Sequence, residues 1–393
     1  MTDQPFGSSL PDDALGDVPL LREIQRVLLS GSGPVNWELA RQIGIASGGL
    51  VSGDDVPTEE DRRGLEGAVR LSELAIGELT GMDAPPEVTS VQTIRRSDWI
   101  QANVRGLRGL FEPGAERLAR ALNDARRAEA EGPGEEATPQ IFEAVLDRMA
   151  PLLAGAQVGM VLGHLAQRAL GQYELPLPRA DQQALLFVVP NIASFERDWS
   201  LPSDQFRAWV ALHETTHAFG LGRPWVREHF VGLVREMAGS MEFDLEGLQE
   251  RLEGLDMSDP QKLTEMLGGE LLTGSLNDEQ RLLLRRVQAF MAVAEGHASH
   301  VMDVLGSKML PEFVRIEEAM KRRHEERSQE EQAVERLLGI DMTLEHYRLG
   351  RAFSDRVAEQ TDDRTLARLW DSPESLPSMP ELEEPTLWLS RMA

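Results

Sequence analysis

The stretch Leu212-His213-Glu214-Thr215-Thr216-His217-Ala218-Phe219-Gly220 constrains this chain more than any other. Its His-Glu-x-x-His spacing has a consequence only in a helix, where residues four apart lie one above the other: both imidazoles then share a face, with Glu214 beside them. The flanking residues ask for the same geometry. Phe206, Trp209, Val210, His213, Thr216, His217 and Gly220 recur at i, i+3, i+4 and i+7, and Ser203 and Asp204 after Pro202 supply N-terminal capping chemistry. Gly220, Gly222 and Pro224 then bring the helix to an end. A single histidine on an apolar stripe reads as a core residue with one hydrogen bond. Two of them flanking a glutamate read as a cation site.

Composition narrows the chemistry of that site. There is no cysteine among the 393 residues, which removes disulfides, thiolate nucleophiles and Cys-ligated metal, and leaves His, Asp and Glu as ligands. The formal charge of −26 repels nucleic acid and anionic membrane surfaces, and no basic stripe is dense enough to reverse this locally. Arg95, Arg96, Arg105 and Arg108 cluster, and in an acidic chain they read as internal charge balance. Residues 1–18 lack the basic and apolar regions of a secretory signal, so a cytoplasmic location is expected. Nothing in the sequence specifies an oligomeric state.

Taken in order, residues 1–18 read as a disordered tail, and 19–134 as an N-terminal helical subdomain with helices near Trp37, at Glu59–Leu79 and at Asp98–Arg127. Glu131-Gly132-Pro133-Gly134-Glu135-Glu136 is the best boundary candidate. The segment 135–310 is expected to hold the catalytic core, and 311–393 a C-terminal helical subdomain with a wrapping, irregular tail. Gly155, Gly159 and Gly163 line one side of an apolar helix from Ile141 to about Leu170, which invites close approach of another helix. Gln157, His164, Gln167 and Arg168 interrupt that run, so a buried helix is preferred to a membrane span. Ala184–Asn191 reads as a short buried strand ending at Pro190, and its place just before the His-Glu-x-x-His helix suggests an edge able to pair with an extended substrate. Two short helices are expected within 241–280, and a charged helix over Arg315–Glu335. The fold class that follows is mainly α with a small β element.

A second informative helix runs from Arg281 to Leu305. Glu295 falls on its apolar side among Met291, Ala294, Ala298 and Met302, and a buried carboxylate is costly unless paired or bound to a metal. The third ligand is the preferred role for Glu295, and a buried pair with an arginine is the alternative. His297 and His300 project well away from Glu295 around the helix, so they are second-choice ligands, or groups that approach the cleft from its side. Tyr347 could donate to an oxyanion, with simple packing as its plainer role.

His213-Glu214-Thr215-Thr216-His217-Ala218-Phe219-Gly220, with Ala294-Glu295-Gly296-His297-Ala298 and Val301-Met302-Asp303, resembles a family of zincin-like hydrolases, some members of which are associated with deazaflavin coenzyme biosynthesis. Trp37, Leu170-Gly171-Gln172-Tyr173, Val188-Val189-Pro190-Asn191, Tyr347 and Leu369-Trp370 share in the resemblance, which spans nearly the whole chain. It implies a zincin-like catalytic core embedded in a larger helical protein. Arg223 stands where a metzincin would place a third histidine, so that subclass is disfavoured. The expected chemistry is hydrolysis of a peptide or amide bond by zinc-activated water, with Glu214 as general base and His213, His217 and Glu295 as ligands. Fe(II) oxygen chemistry, a non-catalytic scaffold with a structural or vestigial metal site, and a small-metabolite amidohydrolase are the competing readings.

Overall fold

The computed structural model describes residues 33–49, 56–109, 112, 116, 120, 140–174, 184–240, 277–325 and 343–393. The tail 1–18, the boundary Glu131–Glu136, most of 241–280 and the stretch 326–335 of the expected charged helix lie outside the described residues. The protein is mainly α with a small β element.

Helix Ser203–Leu221, which carries the His-Glu-x-x-His motif, sits at the centre. It is buried on nearly every side from Phe206 to Leu221, its polar Glu214, Thr215, Thr216 and His217 included. Its neighbours come from distant parts of the chain: helix Glu59–Thr80, strand Leu185–Val188, helix Val189–Asp198, helix Asp278–Met309 and helix Phe313–Glu325. The segments read as N-terminal, catalytic and C-terminal therefore contribute to one continuous apolar cluster.

Local sequence explains where the main elements begin and end. Thr58 and Asp61 form a capping box at the start of Glu59–Thr80, and Gly81, at φ 72°, closes that helix in the left-handed conformation glycine tolerates best. Asn277 and Gln280 cap helix Asp278–Met309 in the same reciprocal way. The expected helix Asp98–Arg127 is seen over 96–109, and the later described positions 112, 116 and 120 are helical too.

The glycine side of helix Gln140–Arg168 receives another helix, Trp37–Gly49. A Cβ on Gly159 would lie 2.6 Å from the Ala40 carbonyl oxygen, and one on Gly48 would lie 2.7 Å from that of Gly163, so the glycines let the two backbones come close. By length and composition alone the window Met149–Arg168 could cross a membrane. Its glycine side is nevertheless taken up by protein, and Leu162, Leu165 and Ala166 join the core.

Among the described residues the sheet has two strands. β1, Val91–Ile94, pairs in parallel with β2, Leu185–Val188, in the register Val91 to Leu185 and Ile94 to Val188. β1 gives little warning in sequence, being four residues long with half-exposed side chains. β2 is shorter than the expected strand because Val189, Pro190 and Asn191 open a helix instead. Pro190 lies in its first turn, where the missing N–H has no partner to lose.

The open edge expected of β2 is also absent. β1 covers one side, and on the other Gly171 bridges Phe187 in antiparallel fashion while the Val188 N–H donates to the Leu170 carbonyl at 2.9 Å. Asn191 fastens this corner: its Nδ2 donates to the carbonyls of Ala166 and Ala169, and its Oδ1 accepts from Arg96 Nε at 2.6 Å.

The C-terminal region is more regular than expected. Short helical pieces, Asp363–Ala367, Arg368–Trp370, Pro373–Ser375, Met379–Glu383 and Pro385–Met392, follow the long helix Leu344–Gln360. Trp370 and Trp388 are their buried anchors. The indole of Trp388 meets Phe353 edge-on and donates to the Ser375 carbonyl at 2.7 Å.

Candidate active site

His213 and His217 lie one turn apart with ring centroids separated by 4.7 Å and planes inclined at 71°. Their environments differ. The His213 side chain is 28% exposed, whereas that of His217 is buried. Burial, followed by the nearness of His213 and His297, pushes the His217 pKa well below the ordinary histidine value. The ring is therefore neutral at pH 7. Its Nε2 is buried without a hydrogen-bond partner, which leaves that nitrogen available to a ligand.

Glu295, from helix Asp278–Met309, reaches into the same space. Its Oε1 lies 3.9 Å from His217 Nε2. Two donor atoms on one zinc at about 2.0–2.1 Å, with tetrahedral angles, stand roughly 3.4 Å apart, so a small side-chain adjustment brings this pair to one ion. Among the described residues no three His, Asp or Glu side chains are already gathered closely enough to hold a cation. The donor set, two imidazoles and a carboxylate around an orphaned buried nitrogen, fits zinc in kind.

Glu214 is buried, and the fold itself supplies its partner: Oε2 accepts the backbone N–H of Tyr173 at 2.8 Å, and Oε1 stands 3.4 Å from His213 Nδ1. Gly171 makes this approach possible. A Cβ there would lie 2.6 Å from Glu214 Oε1 and closer still to Cδ. Trp99 Nε1 donates to the Gly171 carbonyl at 2.8 Å and so pins the segment from behind. Tyr173 adds a second contact by stacking its ring on His217, with centroids 5.5 Å apart. Sequence reasoning gave Gly171 and Tyr173 no role. Their one signal was the Leu170-Gly171-Gln172-Tyr173 resemblance, which says nothing of contact with Glu214.

Of the remaining candidates, His297 stands near His217 and its buried Nε2 likewise has no hydrogen-bond partner, whereas His300 and Tyr347 are engaged elsewhere. His297 is buried against Trp370, with ring centroids 5.8 Å apart and edge-on, and burial, then the neighbouring His300, takes its pKa down to about 3. His300 is held between two carboxylates, Nδ1 at 2.7 Å from Asp355 and Nε2 at 2.8 Å from Asp363, so both ring nitrogens are engaged in tying three helices together. Tyr347 is half-buried and packs against the core. Arg223, at the metzincin third-ligand position, instead bonds the carbonyls of Phe219 and Asp83.

The sequence pattern of a family described as "Zincin-like metallopeptidase" matches residues 35–389. A solved structure "of a putative hydrolase with a novel fold from Chloroflexus aurantiacus" is similar at 30% identity and a TM-score of 0.66, over 91% of this chain and 98% of that one. No curated protein matches.

Proposed function

Because the chain belongs to the zincin-like metallopeptidase family, we propose that it is a zinc-dependent hydrolase of peptide or small amide bonds, with His213, His217 and Glu295 holding the metal and Glu214 as general base. The observation that carries this reading is the orphaned, buried Nε2 of a neutral His217, 3.9 Å from the Glu295 carboxylate and one residue-triplet along the helix from Glu214. Zinc at these ligands would supply Lewis acidity and a water acidic enough to react near neutral pH. Glu214 then takes a proton from the attacking water and returns it to the leaving nitrogen. The Tyr173 amide holds one carboxylate oxygen in place, which leaves the other to handle the proton. Zinc is preferred to Fe(II) because a helical His-Glu-x-x-His with an adjacent free base suits hydrolysis.

Short peptides and small amides are favoured over long extended chains, because β2 is covered on both sides and offers no pairing edge. Metal analysis of protein purified without chelator, followed by assay on peptide, small-amide and acyl-ester panels, tests the reading. One zinc per chain is expected, with turnover that Glu214→Gln removes while metal content stays. A chain without metal overturns the zinc assignment. Silence on every panel with metal fully bound favours a non-catalytic scaffold.

A further inference from the structure

The imidazole of His213 is the half-exposed member of the pair, and a ligand that faces solvent needs something to fix its ring plane. A run of aromatic rings provides it. Phe195, Phe206, Trp209, His213, His217 and Tyr173 succeed one another, the middle four on the motif helix and the two end rings on neighbouring segments, each ring within 6.2 Å of the next. Within this run the contact of Trp209 with His213 is nearly parallel, at 5.3 Å between centroids and 11° between planes. Trp209 is itself locked from a different part of the chain: its Nε1–H donates to Glu317 Oε1 at 2.7 Å, and Glu317 belongs to helix Phe313–Glu325.

We propose that Trp209 and Glu317 are positioning residues for His213: the carboxylate fixes the indole, and the indole holds the imidazole in the orientation a metal requires. An indole is wide and flat, so its N–H direction defines its plane, and a buried N–H without an acceptor would turn to find another. His213 projects one turn beyond Trp209 on the same helix and can only lie flat against the ring while that ring keeps its angle. Carboxylates that orient metal-binding histidines usually accept directly from the imidazole. Here the orienting group acts through a stacked ring.

The metal arm of this inference rests on His213 being a ligand, and the ring-order arm does not. Full-length protein labelled with 15N-histidine is compared as wild type, Glu317→Gln, Glu317→Leu and Trp209→Phe. Metal-free samples report the order of the His213 ring, assigned by loss of its signals in His213→Asn. Cobalt-loaded samples report affinity and the visible absorption of the ion. Glu317→Gln keeps an acceptor and should match wild type in both. Glu317→Leu should broaden or split the His213 ring signals and weaken cobalt binding by about tenfold or more. Trp209→Phe keeps a ring without its N–H, and adding Glu317→Leu to it should change nothing further.

Unchanged His213 signals in Glu317→Leu overturn the proposal. So does an equal loss in Glu317→Gln, which would assign the effect to charge. If Glu317→Leu fails to fold, Trp209→Phe alone carries the test, and unchanged His213 signals in it decide against the proposal in the same way. Wild type that binds no cobalt yet shows the expected ring behaviour would remove the metal reading and leave the positioning intact.

Discussion

Gly171 and Glu214 share a volume that admits only one of a Cβ and a carboxylate: a Cβ on Gly171 would lie 2.6 Å from Glu214 Oε1. The glycine belongs to the strand-like segment that bridges Phe187, and the glutamate to the motif helix, so the proposed general base is seated by the junction of sheet and helix. Gly171→Ala should therefore displace the carboxylate from the Tyr173 amide and lower kcat by roughly a hundredfold, within the usual contribution of a general base. Zinc content should hold, because neither imidazole touches Gly171. Parallel measurement of turnover and bound zinc checks this, and equal loss of both would show that Gly171 supports the whole site.

Glu295 and His217 come from different helices, yet their side chains converge to 3.9 Å. With Glu295→Gln a neutral amide replaces the proposed charged ligand, and zinc affinity should fall by at least tenfold while the fold survives, since the side chain is a quarter exposed. Competition with a chromophoric chelator reads the change. Unaltered affinity would transfer the third position to another residue.

How much of this was legible in sequence depended on whether one element or two were involved. The motif helix, the glycine side of Gln140–Arg168 and the helix bearing Glu295 each declare themselves by periodicity, because their burial is a property of one helix. The partners do not. That Trp37–Gly49 fills the glycine groove, that Tyr173 donates to Glu214, or that Glu317 meets Trp209 across 108 residues is set by packing between segments no local pattern connects. The same limit explains the reading of β2 as an open edge. Its neighbours, a four-residue strand and a single bridging glycine, are too short to carry a strand signal.

The helix that presents Glu295 is held at a glycine crossing. A Cβ on Gly296 would lie 2.7 Å from the Arg351 backbone nitrogen and nearer still to the Gly350 carbonyl, and one on Gly350 would run into the Ala292 carbonyl. Backbone atoms cannot step aside as a flexible side chain would. Gly350→Ala should cost about 1–3 kcal/mol of stability by overpacking, and by pushing helix Asp278–Met309 away it should also weaken zinc binding at Glu295. Urea unfolding of the metal-free protein, set beside zinc affinity, separates the two effects. A wild-type midpoint would mean that the helices separate at no cost.

Away from the site, Asp61 makes a pH-dependent contribution whose sign can be worked out. Its Oδ1 pairs with Arg207 Nη1 at 2.6 Å, and its Oδ2 accepts from the Thr58 backbone and hydroxyl at 2.8 and 2.6 Å. Burial pushes the carboxyl up, but the Thr58 hydrogen bonds and the Arg207 guanidinium outweigh it, so its pKa lies below the ordinary aspartate value of 3.8. A carboxylate depressed in the folded state contributes stability that is fully present above its unfolded value and disappears as pH falls through the folded one. The Asp61→Asn variant should therefore be less stable than wild type at pH 7, with a gap that stays constant down to about pH 5. Below that the gap should narrow, and at the acid end the two proteins should unfold alike. Denaturant titrations at successive pH values, at fixed ionic strength to hold screening constant, trace the difference. A gap that widened on acidification would reverse the assigned direction, and one that never appeared would mean that the tie from Arg207 to Asp61 and Glu196 does not stabilise the packing of helix Glu59–Thr80 on the motif helix.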